Sequence, residues 1–427
     1  MPRKILRSAA VVAALSALVK LVGLVKESVV AAVFGVTAAL DAYLLAFTAL
    51  SLPIGFFASY QLSLVSTLAR LRQRGDLGAA RVVLRQATVL GLLVAALIAP
   101  VMVAFAPALV GVMGGGTDDP DRFSRYALLL LPFGVAAGVT APLYAALQAE
   151  RRFLIASMLP VATPLFTIAI VLCWRGLGDP VLLIYGVVAG VAAEVAVLAY
   201  LARRSLGGTV PLLPLAGAVK LVARQGSVLC VGSTAFALTT LVDQTYAAGI
   251  GGGSVAAITF ASKVPIALAA LGGTALGTVA LPHFAARLAS GETIAAKRGF
   301  LRVIALMVPL ALVAGALGWF ASEMIVRVLF ERGSFDRAST ELVAGIQKLY
   351  FLQLPGFWVT VVAHRFLTAA NAYRAVSAVS VGGLVATLLL DPLLIHFFGI
   401  HGLPLAAALV YLGMAAALVA IVLRARS

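Results

Sequence analysis

The sequence predicts an all-α polytopic membrane protein of about twelve transmembrane helices in two six-helix lobes. Three observations carry this. First, 62% of the 427 residues are hydrophobic and 11% are charged, against roughly 25% charged in ordinary soluble domains. Second, apolar stretches of the roughly 20 residues that a helix needs to cross the hydrocarbon core recur from end to end. Third, Lys26-Glu27-Ser28-Val29-Val30-Ala31-Ala32-Val33-Phe34-Gly35 lines up with Val242-Asp243-Gln244-Thr245-Tyr246-Ala247-Ala248-Gly249-Ile250-Gly251, 216 residues later. Each copy has an acid, Ala-Ala four and five residues on, and a closing glycine. Tandem repeats in a membrane chain mark secondary transporters, whose substrate sites lie between the halves near the bilayer midplane.

Breaks at charge clusters and at Gly, Pro and Asp turns place the spans near 9–35, 38–68, 83–113, 123–148, 153–174, 179–202, 218–249, 253–286, 299–329, 338–371, 374–397 and 401–423. The first apolar stretch follows Arg3, Lys4 and Arg7 like a signal peptide. It runs far beyond a typical h-region, so a retained first helix is expected. Several spans exceed 25 residues and should tilt, kink or protrude. The lobes are expected at 1–204 and 218–427, joined by a cytoplasmic linker at 205–217 that carries Gly207, Gly208, Pro211 and Pro214.

The net charge of +16 could suggest nucleic acid, but its distribution gives another reason. One set of loop ends holds 21 Lys and Arg, from Arg3 through Arg70, Arg72, Arg81, Arg151, Arg203, Arg287 and Arg374 to Arg426. The opposite ends hold 6, among Asp118, Asp119, Asp121, Asp179, Glu331 and Asp336. By the positive-inside rule both termini are cytoplasmic. Topology therefore accounts for the basic excess and no nucleic-acid partner is needed. Cys173 and Cys230 each lie in an apolar run and form no metal or redox spacing. His283, His364, His396 and His401 have no metalloenzyme spacing, and no phosphate-binding loop or serine-nucleophile elbow occurs. The expectation is a transporter rather than an enzyme, driven by an ion gradient or the membrane potential.

A short set of charges remains inside the spans: Lys20, Lys26, Lys263, Lys348 and Arg365, with Glu27, Glu194, Asp243 and Asp391. Each costs at least about 2.5–3.5 kcal/mol in hydrocarbon and must face a cavity or a partner. Ser16, Lys20, Gly23 and Glu27 recur at spacings of four, three and four, which puts them on one stripe. Lys26 should project about 100° away from Glu27. Lys20 and Glu27 read either as cavity residues or as a packing pair. Lys263 precedes Pro265, which invites a kink, and suits an anion site that rearranges; snorkelling to the interface is the alternative. Lys348 precedes Pro355, where a helix break is expected, and Arg365 suits phosphate or the interface equally. Asp391 sits in Leu388-Leu389-Leu390-Asp391-Pro392 with Thr387 one turn before it. A carboxylate there must be protonated, paired or ion-bound. Glu194 lies among small residues and reads as an interhelical hydrogen-bonding group.

Leu21-Val22-Gly23-Leu24-Val25-Lys26-Glu27 with Leu40-Asp41-Ala42-Tyr43, the run Gly273-Thr274-Ala275-Leu276-Gly277-Thr278-Val279, and Leu329-Phe330-Glu331-Arg332-Gly333 resemble the MviN/MurJ lipid II flippases. These belong to the multidrug/oligosaccharidyl-lipid/polysaccharide exporter superfamily. The resemblance implies two lobes around a V-shaped central cavity in a bacterial inner membrane. It also implies a flippase for an undecaprenyl-pyrophosphate-linked sugar, serving cell-wall or surface polysaccharide synthesis. Membrane lipids and glycan-synthesis machinery would be its partners. By motif, Lys26-Glu27 replaces the family's Arg-Asp, Lys263 replaces its eighth-helix arginine, and Lys20, Lys348 and Arg365 would join them on the substrate. Asp243, Asp391 and Thr387 would form the coupling site for Na+ or H+, with any sodium at the two aspartates.

There are departures from the family pattern. Thr387 stands for an asparagine, Ala407 for a threonine and Ile54-Gly55 for an arginine pair. The resemblance also implies two further C-terminal helices beyond the twelve spans expected here. A cation-coupled multidrug exporter and a non-transporting membrane scaffold are the rival readings. Five intramembrane cations against four acids weigh against the exporter, and charges at matched repeat positions weigh against the scaffold.

Overall fold

A computed structural model describes residues 3–112, 119–206, 234–235, 237–290, 292–370 and 372–424. Cys230, the linker from residue 207 onward and the seventh span up to residue 233 lie outside them. So do the side chains of Ser16 and His283. Among the described residues every regular element is helical.

The helices are α1 (Arg3–Phe34), α2 (Ala38–Gln73), α3 (Leu77–Val112), α4 (Pro120–Leu129), α5 (Leu131–Ala149), α6 (Phe153–Met158), α7 (Ala162–Cys173) and α8 (Val181–Leu206). Then come α9 over 237–248, α10 (Ser254–Ala289), α11 (Thr293–Phe330), α12 (Arg337–Tyr350), α13 (Leu354–Ala369), α14 (Tyr373–Phe398) and α15 (Gly402–Arg424). Among the described residues seven stretches are long and apolar enough to cross a membrane, the last of them, Tyr373–Arg424, holding both α14 and α15. The chain is a multi-pass membrane protein. The break expected at Pro355 is a 3-10 turn, Phe351–Gln353, that separates α12 from α13. α10, by contrast, is continuous through Pro265.

Local chemistry fixes the starts of the helices. Asp119 accepts from the Arg122 amide at 2.9 Å and caps α4. Asp336 accepts from the Ser339 amide at 2.8 Å and caps α12. That hydrogen bond holds the exposed Asp336 carboxyl below its ordinary range. Caps of this type satisfy amides that have no partner within the helix. The Phe330–Phe335 motif is a turn through Gly333, at φ 57°, that buries both phenyl rings against Phe260.

The described residues form two compact units, 3–35 with 42–112 and 119–206, and 36–41 with 234–235 and 237–424. In the first, Phe57, Tyr60, Leu64 and Leu68 pack on Val83, Leu84 and the alanines of α5. α3 and α5 meet backbone to backbone: a Cβ on Gly138 would lie 2.1 Å from the Gly91 carbonyl oxygen. Small residues permit this approach, which is how helices gain contact in lipid. In the second unit the rings of Phe284, Phe300 and Phe366 meet edge-on or tilted, with centroids 5.3–6.4 Å apart. Trp358 Nε1 donates to the Ala269 carbonyl at 3.2 Å.

Candidate functional site

In the first unit, α1 carries Lys20, exposed, and Lys26 and Glu27, both partly buried. The expected separation of Lys26 from Glu27 is not found. Lys26 Nζ lies 2.9 Å from Glu27 Oε1, with the side chains 22% and 13% exposed. The Cβ directions do diverge by about 100°, but the four-carbon stem of lysine is long enough to bend back. Desolvation favours the neutralised pair. A Cβ on Gly23 would meet nothing within 4 Å, so the stripe opens onto space there. Glu194 accepts a short hydrogen bond from the Tyr144 hydroxyl, which ties α8 to α5. The second unit holds Lys263 on α10 and Lys348 on α12, both partly buried, and the exposed Arg365 on α13.

The acids build a site within the second unit. A cavity of about 100 Å³ is lined by Asp243 and Gln244 of α9, Thr259 of α10, Tyr350 of α12, Thr387 of α14 and Tyr411 of α15, among others. Asp391 is fully buried. The carboxyls of Asp243 and Asp391 lie within hydrogen-bonding reach of each other. Among the described residues neither Asp391 oxygen has a hydrogen-bond donor. Thr387 Oγ1 spends its proton on the Gly383 carbonyl at 3.1 Å, so its lone pairs remain. Ala407 lines the cavity and offers no oxygen.

Sequence reasoning missed two residues. Gln244 donates through Nε2 to Thr259 Oγ1 at 3.3 Å, while its buried Oε1 has no donor among the described residues. Its place beside Asp243 in the repeat was the signal available. Orphaned buried acceptors are costly, and this set offers oxygen alone. It fits a proton or a hard cation such as sodium, held by Asp243, Asp391, Thr387 and Gln244. Among the described residues no three His, Cys, Asp or Glu side chains converge.

Asp41 is the second. The segment 36–41 belongs to the second unit, and the buried Asp41 carboxylate accepts from the Gly253 amide at 2.6 Å and the Ala256 amide at 2.7 Å. It therefore caps α10 from outside the helix. Gly253 has φ 89°, and a Cβ there would lie 2.9 Å from Val36, so both conformation and space require glycine. Asp41→Ala is expected to cost about 2 kcal/mol, the scale of hydrogen bonds to a charged group, with Asp41→Asn intermediate. A detergent thermal melt checks this. An unshifted melt for Asp41→Ala would refute the cap.

The family model described as "Lipid II flippase MurJ" matches residues 30–427. The chain belongs to the MurJ lipid II flippase family. A probable lipid II flippase MurJ of Rhizobium tropici is 28% identical over 355 residues, which cover 79% of this chain and 66% of the relative. The Rhizobium meliloti (strain 1021) counterpart is 28% identical over 264 residues, covering 59% of this chain and 49% of the relative. The matches thus span a little under two thirds and about half of these MurJ relatives. A solved lipid II flippase MurJ in an inward closed conformation superposes with TM-score 0.76 at 18% identity, covering 95% of this chain and 86% of that one. An inward-facing multidrug resistance MATE family transporter of the MOP superfamily gives 0.80 at 14%, covering 98% and 100%. These identities speak for the fold, which MurJ and MATE proteins share.

Proposed function

We propose that this chain is a flippase. It moves an undecaprenyl-pyrophosphate-linked sugar, lipid II or a related lipid-linked oligosaccharide, from the inner to the outer leaflet of a bacterial cytoplasmic membrane. The family match over residues 30–427 carries this reading. The substrate's pyrophosphate is the chemistry that intramembrane lysines suit, and both termini are cytoplasmic by the positive-inside rule.

The mechanism is alternating access of the two lobes. Lys20, Lys26 and Lys263 take the pyrophosphate, assisted by Lys348 or Arg365. Glu27 holds Lys26 until the phosphate arrives, consistent with their 2.9 Å pair. Lysine binds phosphate as a point charge without arginine's bidentate fork, so recognition is mainly electrostatic. An inside-negative potential drives each substrate charge outward by about 2.3 kcal/mol per 100 mV. The Asp243–Asp391 site takes a proton or sodium ion for the return of the empty carrier.

The test is depletion in the host followed by leaflet-resolved analysis of polyprenyl-linked glycans. One such lipid should accumulate on the cytoplasmic side. An unchanged distribution in a host without a second flippase would sink the proposal.

A further inference from the structure

The first unit contains a cavity lined by none of the residues assigned above to substrate or coupling ion. Its volume is about 350 Å³, and its wall includes Arg72 of α2, Arg81 of α3, Glu150 and Arg152 after α5, and the apolar Leu77 and Leu201. Leu68 and Arg72 are four apart on α2, and Leu77, Arg81 and Leu84 are four and three apart on α3. Each helix therefore turns one face to the cavity.

Among the described residues, two ion pairs at this wall end on the Glu150 carboxylate. Arg72 Nη2 lies 2.5 Å and Arg152 Nη1 3.8 Å from Glu150, with Arg72 30% and Glu150 17% exposed. Arg72 and Arg152 thus share one acid, and the exposed Arg81 lines the same cavity, so guanidinium groups outnumber the carboxylate on its described wall. The backbone is bent to produce this. Arg151, at φ 59°, is the one non-glycine residue with positive φ among those described. It occupies the left-handed closing position of α5, with the Arg151 amide donating to the Gln148 carbonyl at 3.0 Å and the Arg152 amide to the Leu147 carbonyl at 2.9 Å. Glycine would sit there without strain. The strained turn brings Arg152 back onto Glu150, and strain of this kind gathers at ligand sites.

We propose that this cavity is a phosphate-binding site outside the transport path. Guanidinium forks match phosphate oxygens in pairs. Glu150 keeps Arg72 and Arg152 extended until an anion displaces it, and the leucines leave room for the apolar part of a lipid. Basic pockets between membrane helices bind anionic headgroups in this manner. The phosphate comes from an anionic phospholipid or from free phosphate in solution, and one experiment separates the two sources.

The full chain is reconstituted in nanodiscs of mixed phosphatidylglycerol and phosphatidylcholine, and retained lipid is read by native mass spectrometry. In parallel, thermal stability in detergent is followed against sodium phosphate. The comparison is with the Arg81→Gln/Arg152→Gln variant, which keeps the Arg72–Glu150 pair and hence the packing. Selective retention of phosphatidylglycerol, falling about tenfold or more in the variant, identifies a lipid headgroup. Stabilisation by phosphate that the variant loses identifies the free anion. Glu150→Gln should raise retention of the same probe, because it removes the competing carboxylate. A purely structural acid would not have that effect. Equal behaviour of the wild type and all variants toward both probes overturns the proposal.

Discussion

Replacing Lys26 and Lys263 together by glutamine is expected to abolish flipping while the protein still reaches the membrane. The two lysines lie on different helices, α1 and α10. A charge-assisted contact to phosphate contributes about 1.5–3 kcal/mol, roughly tenfold to over a hundredfold in affinity per lysine. Losing both should take transport below detection. Each single variant should retain a fraction, with Lys26→Gln the milder, because the freed Glu27 was already compensating part of that charge at 2.9 Å. Arginine at both positions should restore activity by supplying the bidentate fork. The assay is lipid-linked glycan transport in proteoliposomes, normalised to protein in the membrane. Wild-type activity in the double glutamine variant would remove these lysines from the mechanism.

The large features were legible in the sequence because they follow from solvation. Apolar length dictates where helices run, and Pro355 placed the α12–α13 break within a few residues of the observed 3-10 turn. Glu194 read as an interhelical hydrogen-bonding group from its small neighbours, and it meets Tyr144. Helical periodicity failed where a flexible stem or a long-range contact decides. A helical wheel follows Cβ directions, so it separated Lys26 from Glu27, although four methylenes let the ammonium reach the acid. Asp41 looked like one residue of a motif. Its role depends on Gly253, 212 positions away, and no spacing within a helix encodes that. The pocket around Arg72, Arg81 and Arg152 was hidden for another reason. Those arginines read as topogenic charge, and only the fold shows Arg72 and Arg152 sharing Glu150 with Arg81 on the same cavity wall.

Asp391→Asn is expected to uncouple transport from its driving cation, and Asp243→Asn to do the same. Two carboxylates within hydrogen-bonding reach cannot both stay charged in a buried site without a proton or a cation between them. Asp391 has no donor to neutralise it among the described residues, and the nearby tyrosines Tyr350 and Tyr411 are themselves buried or half-buried. The pair must therefore gain and lose one positive charge if it is to cycle, and that is the property a coupling site needs. An asparagine supplies its own protons, satisfies the partner acid and freezes the site in its loaded form. In proteoliposomes at fixed membrane potential, wild-type rates should respond to an imposed sodium or proton gradient, whichever ion the site uses, and either asparagine variant should lose that response. Gln244→Leu gives a finer test of which ion it is. Its Oε1 is a buried acceptor without a donor among the described residues, of use to sodium, which collects several oxygens, and of little use to a proton shared by two acids. Loss of sodium response in Gln244→Leu selects sodium. An unaltered response there, with both asparagine variants uncoupled, selects the proton. Full coupling in both asparagine variants would leave the acid pair with a structural role alone.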